Sequence, residues 1–225
     1  MRRPLALALA AAACAVAASP AGATNECRGL QICVPVAGPW VVASPGQVEF
    51  QLSCPKRYIV AGLDAELTTR GIDVGFVGNL GSPVNPGITT SRDAVFLGRL
   101  VRGGDAASSF RPHIGCIPAS GGGSRTPTAY HAFPPGAPTA RVVIQLKVKP
   151  GKTIQRVRCN RSQRLVSASH AVGFLGEAPP TSRLVHAVQA SHVVRNGAAI
   201  LTVKATGAVA ETQAVVQLDL LCTPT

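Results

Sequence analysis

Asp64 and Glu66 stand two residues apart in YIVAGLDAEL, with Asp73 shortly after, and no other acidic cluster in the chain has a spacing suited to acid–base work. On a strand, positions i and i+2 share a face, and paired carboxylates can divide general-acid and general-base roles when burial raises one pKa. The plainer reading of the same spacing is a solvated strand face, and it is the reading adopted. His170 is a third candidate for a hydrolase, because sliding the chain on itself by 106 positions lays His170 on Asp64. Other chemistries lack their residues. There is no G-x-S-x-G before a helix, and Gly121 to Gly123 lies in a Pro/Gly-rich stretch rather than a tight phosphate loop. His170, His186 and His192 are more than a helical turn apart with no carboxylate at a metal-ligand offset, and no C-x-x-C occurs. Neither a metal nor a cofactor is expected. Asn160-Arg161-Ser162 fits a glycosylation sequon, which in a bacterial-looking chain reads as coincidence.

A different kind of site is written in the charge. From Ala106 to Gly176 there is no acidic residue, while Arg141, Lys147, Lys149, Lys152, Arg156, Arg158, Arg161 and Arg164 crowd together. Alternation in RVVIQLKVK sets Lys147 and Lys149 opposite Val142, Ile144, Leu146 and Val148; in the next segment Arg156 and Arg158 lie opposite Cys159. If the two segments pair as a hairpin through Pro150-Gly151, Lys147, Lys149, Lys152, Arg156 and Arg158 share one outer face. Such a face would bind an anionic surface polymer. With only 4% aromatic residues, the chain is poorly equipped for a carbohydrate-stacking platform or a single-strand nucleic-acid groove, and no nucleic-acid partner is expected.

The N-terminus, MRRPLALALAAAACAVAASPAGA, has Arg2 and Arg3 before an apolar run and an Ala21-Gly22-Ala23 small-residue site, so residues 1–23 read as a secretory signal peptide. Its loss takes the formal charge from +12 to +10. Cys14 lies within the run, but Ala11 stands where a lipoprotein signal has Leu, so lipid anchoring is not expected. Six cysteines follow: Cys27, Cys33, Cys54, Cys116, Cys159 and Cys222. In an exported chain they read as three disulfides.

The elements that must hold these residues come in two copies. SPGQVEFQLSC, ending at Cys54, repeats as KPGKTIQRVRC, ending at Cys159, with the same Gly-to-Cys distance. YIVAGLDAEL lies against RLVSASHAVG at an offset of 106, the offset that also relates Cys116 to Cys222 (222 − 116). That places a one-residue insertion soon after the first cysteine. VEFQLSC, RVVIQLKVK and AVVQLDLLC alternate with period 2, the last sending Gln217 and Asp219 outward, and Asn196-Gly197 signals a tight hairpin. The expected fold is all-β: duplicated antiparallel β-sandwich modules, or two halves of one sandwich, at 40–116 and 141–225. An N-terminal segment at 24–39 carries Cys27 and Cys33, and a Pro/Gly/Ser-rich linker spans 117–140. Duplication demands equivalent bonds, hence Cys54 to Cys116, Cys159 to Cys222, and Cys27 to Cys33.

The cysteine separation resembles that of immunoglobulin-like sandwiches, without their Trp between the cysteines. QLSCPKRYIVAGLDAEL also resembles the Cys-Pro-x-Gly, then Val-x-Gly-Gly, strand motif of bacterial exported proteins of unknown function. Arg57 and Ala61-Gly62 depart from it, as do Asn160 and Ser167-Ala168 in the second copy. That resemblance implies export and no particular activity. The expectation is a secreted, non-enzymatic envelope or extracellular protein that binds anionic polymers. The alternatives are a secreted hydrolase using Asp64, Glu66 or His170, and a protein-binding module or inhibitor that presents the linker.

Overall fold

A computed structural model describes residues 26–30, 32–78, 92–119, 140–210 and 212–225. The signal segment, Cys14 and Gly121 to Gly123 lie outside the described residues, as do 120–139 of the linker. The first copy contains β1 (Val34–Ala37), β2 (Trp40–Val42), β3 (Val48–Ser53), β4 (Tyr58–Leu67), β5 (Ile72–Gly78), β6 (Asp93–Leu100) and β7 (Ser109–Pro118). The second contains β8 (Ala140–Lys147), β9 (Gly151–Arg158), β10 (Gln163–Leu175), the short helix α1 (Ser182–His186), β11 (Val188–Arg195), β12 (Ala198–Ala205) and β13 (Gln213–Pro224).

The duplication is plain in the connectivity. In the first copy β4, β7 and the β1/β2 pair form one layer and β3, β6 and β5 the other; in the second, β10, β13 and β8 face β9, β12 and β11. All pairings are antiparallel. Even a β-bulge recurs: Val60 pairs with Cys116 and the ladder resumes at Gly62, while Leu165 pairs with Cys222 and resumes at Ser167. This register corrects the sequence alignment. Val60 corresponds to Leu165, an offset of 105 (165 − 60), and the Ser53↔Asp93 pair to Arg158↔Ala198 at the same offset. The extra residue therefore falls between β12 and β13, beside the one-turn 3-10 helix Gly207–Val209, and not after the first cysteine. Asp64 then corresponds to Ser169, not His170. A slip of one residue along a strand exchanges its faces, so the alignment and the pleat cannot both be satisfied at 106.

Each copy has its own core. Phe50, Phe96, Phe110 and Ile114 fill the first, and Phe174, Leu201, Leu218 and Leu220 the second. The disulfides Cys54–Cys116 and Cys159–Cys222 take equivalent places in the two cores, and Cys27–Cys33 closes the N-terminal loop, as expected from the duplication. Asn196 and Gly197, with φ of 52° and 66°, make the two-residue turn between β11 and β12.

The copies are stitched together twice. The first seam is β2: Val41 pairs with Phe110 of β7 on one side and Gly173 of β10 on the other, so the two large layers become one seven-stranded sheet. The second is the free edge of β3, which leans on the back of the β8–β13 layer. There Gln51 N–H donates to Gln217 Oε1 (2.6 Å) and Gln217 Nε2 donates to Gln51 O (3.0 Å), so one side-chain amide caps an edge strand's main chain. Arg141 bridges Glu49 of β3 (2.6 Å) and Asp219 of β13 at the same seam. The expectation that Gln217 and Asp219 face solvent is thus corrected. They do point away from their own core, yet each is only 2% exposed, because the first copy covers them.

Candidate functional site: a basic sheet face, an acid–imidazole cluster and a histidine groove

The five basic residues read from the sequence do not share one face. Gly151, at φ +106°, carries the chain between layers: β8 pairs with β13 in the large sheet, β9 with β12 in the small one. Pro150-Gly151 is a layer crossing and not a hairpin, in keeping with the poor fit of a Pro-Gly turn to strand twist. Lys147 lies on the back of the large sheet in register with Val215, and Lys149 in the crossing, both exposed. Lys152, Arg156 and Arg158 remain together on the outer face of β9. Cross-strand register then adds residues that the sequence reading missed. Lys152 faces Lys204, which faces Gln189; Arg158 faces Ala198, which faces Arg195; between these rows lie Ile154, Thr202 and Ser191, then Arg156, Ile200 and Val193. Ala199, Leu201 and Val203 of β12 point the other way, into the core. Lys152, Arg156, Arg158, Arg195 and Lys204 are all exposed, and these rows hold no carboxylate. Ion pairs among the described residues involve Arg99, His113 and Arg141, and none of the five is paired with a described carboxylate. Strands stand about 4.8 Å apart and like-facing residues roughly 7 Å apart along each, so the five charges cover one compact patch. Lys204 and Arg195 were legible in principle, since the Asn-Gly hairpin fixes their register.

Asp64 and Glu66 do share a face of β4, opposite His113 and Arg111 of β7. It is not a solvated edge. The N-terminal turn lies over it so closely that a Cβ at Gly62 would come 1.7 Å from the Glu26 carbonyl oxygen, and one at Gly115 2.1 Å from the same atom. Beneath that turn His113 Nδ1 stands 3.8 Å from Glu26 Oε1, and His113 Nε2 stands 3.5 Å from Glu66 Oε1, with Glu26 and His113 buried. The Glu66 side chain remains 28% exposed. Asp64 accepts the Ala65 N–H at 2.8 Å, and Asp73 is exposed beside Arg99. His170 is elsewhere, since β7 and β2 lie between β4 and β10 in the sheet. Asp64, Glu66 and His170 are not brought together.

His170 has instead a partner that sequence reasoning did not pair with it. His170 shares the core-facing side of β10 with Leu218 across the ladder, as His192 does of β11 with Leu201, and the two rings meet at the open side of the second sandwich. His170 Nε2–H donates to the Ala190 carbonyl (3.0 Å), which leaves Nδ1 as the acceptor of the His192 Nδ1–H at 2.8 Å. The rings are edge-on, with centroids 4.9 Å apart. Burial, then the charge of His192, hold the His170 pKa below the ordinary value, partly offset by the Ala190 carbonyl. The pair opens into a groove of about 540 Å³ between the copies, lined by Val42, Ser44 and Gln47 on one side and Ser169, Val185 and Gln189 on the other.

No protein-family model, curated protein or solved structure matches the chain, so the geometry alone carries the functional argument.

Proposed function

We propose that the protein is an exported, non-enzymatic binding protein of the bacterial envelope or medium, and that it holds an anionic surface polymer on the outer face of the β9–β12–β11 layer. One observation carries the reading: five exposed cations on three paired strands with no carboxylate among them. The N-terminal secretory pattern and the three disulfides support an oxidising location outside the cytoplasm. The face is strand-regular, which suits a repeating polyanion better than a small ligand, and its potential extends about 8 Å at physiological salt.

The test is binding to an acidic polysaccharide such as heparin as salt is raised. Affinity should fall steeply, and the double reversal Arg156→Glu with Lys204→Glu should abolish it without unfolding the protein, since both side chains point to solvent. The control is Arg70→Glu with Arg99→Glu in the first copy, the same change in net charge. Equal losses from both pairs would reduce the effect to net charge, and no binding at low salt would end the reading.

A further inference from the structure

The geometry points to a two-imidazole site for a borderline transition-metal ion, Cu²⁺ or Zn²⁺, formed by Nδ1 of His170 and Nδ1 of His192 where they meet at the groove between the two copies. The inference is independent of the basic face. Three features of the pair fit the chemistry. First, the far nitrogen of His170 donates to the Ala190 carbonyl, the arrangement that fixes ring orientation and tautomer in metal-bound histidine and leaves the near nitrogen unprotonated, its lone pair turned toward His192. Second, the near nitrogens already converge, at 2.8 Å. An ion about 2.0 Å from each nitrogen at a near-tetrahedral angle would hold them about 3.3 Å apart, so the rings need to part by roughly half an ångström. His192 can supply that movement, because β11 is the outer strand of its layer and, among the described strands, is hydrogen-bonded only to β12.

Third, the proton balance closes. The ion takes the place of the shared proton, and His192 remains neutral by carrying its proton on Nε2 instead of Nδ1. Both ligands enter as neutral imidazoles, the form that metal binding requires. The rest of the coordination sphere opens to the groove, where water or the amide and hydroxyl oxygens of Gln47, Gln189 and Ser44 can complete it. Among the described residues no carboxylate lines the groove, so the donor set suits copper or zinc and not calcium or magnesium. No third histidine, cysteine or carboxylate joins the pair among the described residues, which leaves the site open and exchangeable.

The test uses the mature chain without an affinity tag, stripped of metal and titrated with Cu²⁺ and, separately, Zn²⁺. One ion per chain should bind. In the Zn²⁺ form, ¹⁵N spectra of the wild-type histidines should show both Nδ1 resonances moving while the Nε2–H of His170 persists and an Nε2–H appears on His192 in place of its Nδ1–H, a readout that needs no variant. In the Cu²⁺ form, electron paramagnetic resonance should show two coupled imidazole nitrogens. His192→Gln should leave one nitrogen and weaken Cu²⁺ binding at least about tenfold, as loss of one of two donors exceeds the usual cost of losing a supporting contact. His186→Gln, on exposed α1, should change neither. Unmoved Nδ1 resonances, unaltered affinity in His192→Gln, or no binding at millimolar metal would each make the pair a purely structural hydrogen bond.

Discussion

Replacing Arg141 by Met removes the cation shared by Glu49 and Asp219 while keeping the length and apolar stem of the side chain. What remains at the seam is Asp219, 2% exposed, with its Oδ1 already lacking a hydrogen bond among the described residues, and Glu49, whose side chain is 22% exposed. Breaking a buried ion pair from one side costs about 3–5 kcal/mol, and the partial exposure of Glu49 and Arg141 reduces that. A second limit comes from protonation. Asp219 can escape its charge by taking a proton, which from an ordinary value of 3.8 costs about 4 kcal/mol at about pH 7, and less because burial already raises its pKa against the pull of Arg141. The expected loss is therefore about 2–3 kcal/mol near pH 7. The ceiling drops by about 1.4 kcal/mol per pH unit, so near pH 5 the loss should be under about 2 kcal/mol. Urea unfolding of wild type and variant at the two pH values measures this directly. Adding Asp219→Asn to Arg141→Met should recover more than half of the loss at the higher pH. A pH-independent loss, or no recovery in the double variant, would mean that Arg141 acts through the packing of its stem and refute the electrostatic account.

Three further outcomes follow from the same geometry. Gly62→Ala should lift the N-terminal turn, since the new Cβ would stand 1.7 Å from the Glu26 carbonyl, destabilising the protein by about 1–3 kcal/mol and speeding amide exchange at 26–30 and 32–33. The lowered pKa of His170 means that the unfolded chain takes up a proton near pH 6.5 that the native state refuses; its contribution to stability should be full above that pH and fall as the pH drops toward the folded value. His170→Asn should flatten that part of the stability profile measured by urea titration. Finally, cleavage near Gly122 should give fragments that co-purify without denaturant, because Trp40, Val41 and Val42 of the first copy are built into the sheet of the second, and free separation on a sizing column would contradict the shared sheet.

How much of this was legible beforehand differs from strand to strand. In β3, β8 and β13 the period-2 alternation declares the strand and its core face, because burying one side of a pleated ribbon is a local demand that each residue meets by type. Asn196-Gly197 declares its hairpin because both residues accept positive φ. The disulfides follow once the copies are aligned, since the equivalent bonds sit in equivalent cores. The charge run around Arg156 likewise shows in the sequence, although Arg195 and Lys204 lie outside the run and join it only through the register of the Asn-Gly hairpin and its pairing with β9.

What the second face of each strand meets was decided by tertiary structure. Gln217 and Asp219 read as solvated polar positions, and by alternation they are outward; only the docking of β3 on that surface buries them and turns them into a clamp. The fate of Pro150-Gly151 was similarly open, because a Pro-Gly corner can close a hairpin or cross between layers, and the choice lies with the partners β12 and β13 offer to β9 and β8. His113 gains Glu26 from a turn that precedes it by over eighty residues, and His170 gains His192 from a strand in the opposite layer. Alternation along a chain specifies which way a side chain points. It carries no record of what stands opposite, because that depends on contacts between segments far apart in sequence, and the sites of this protein are made of such contacts.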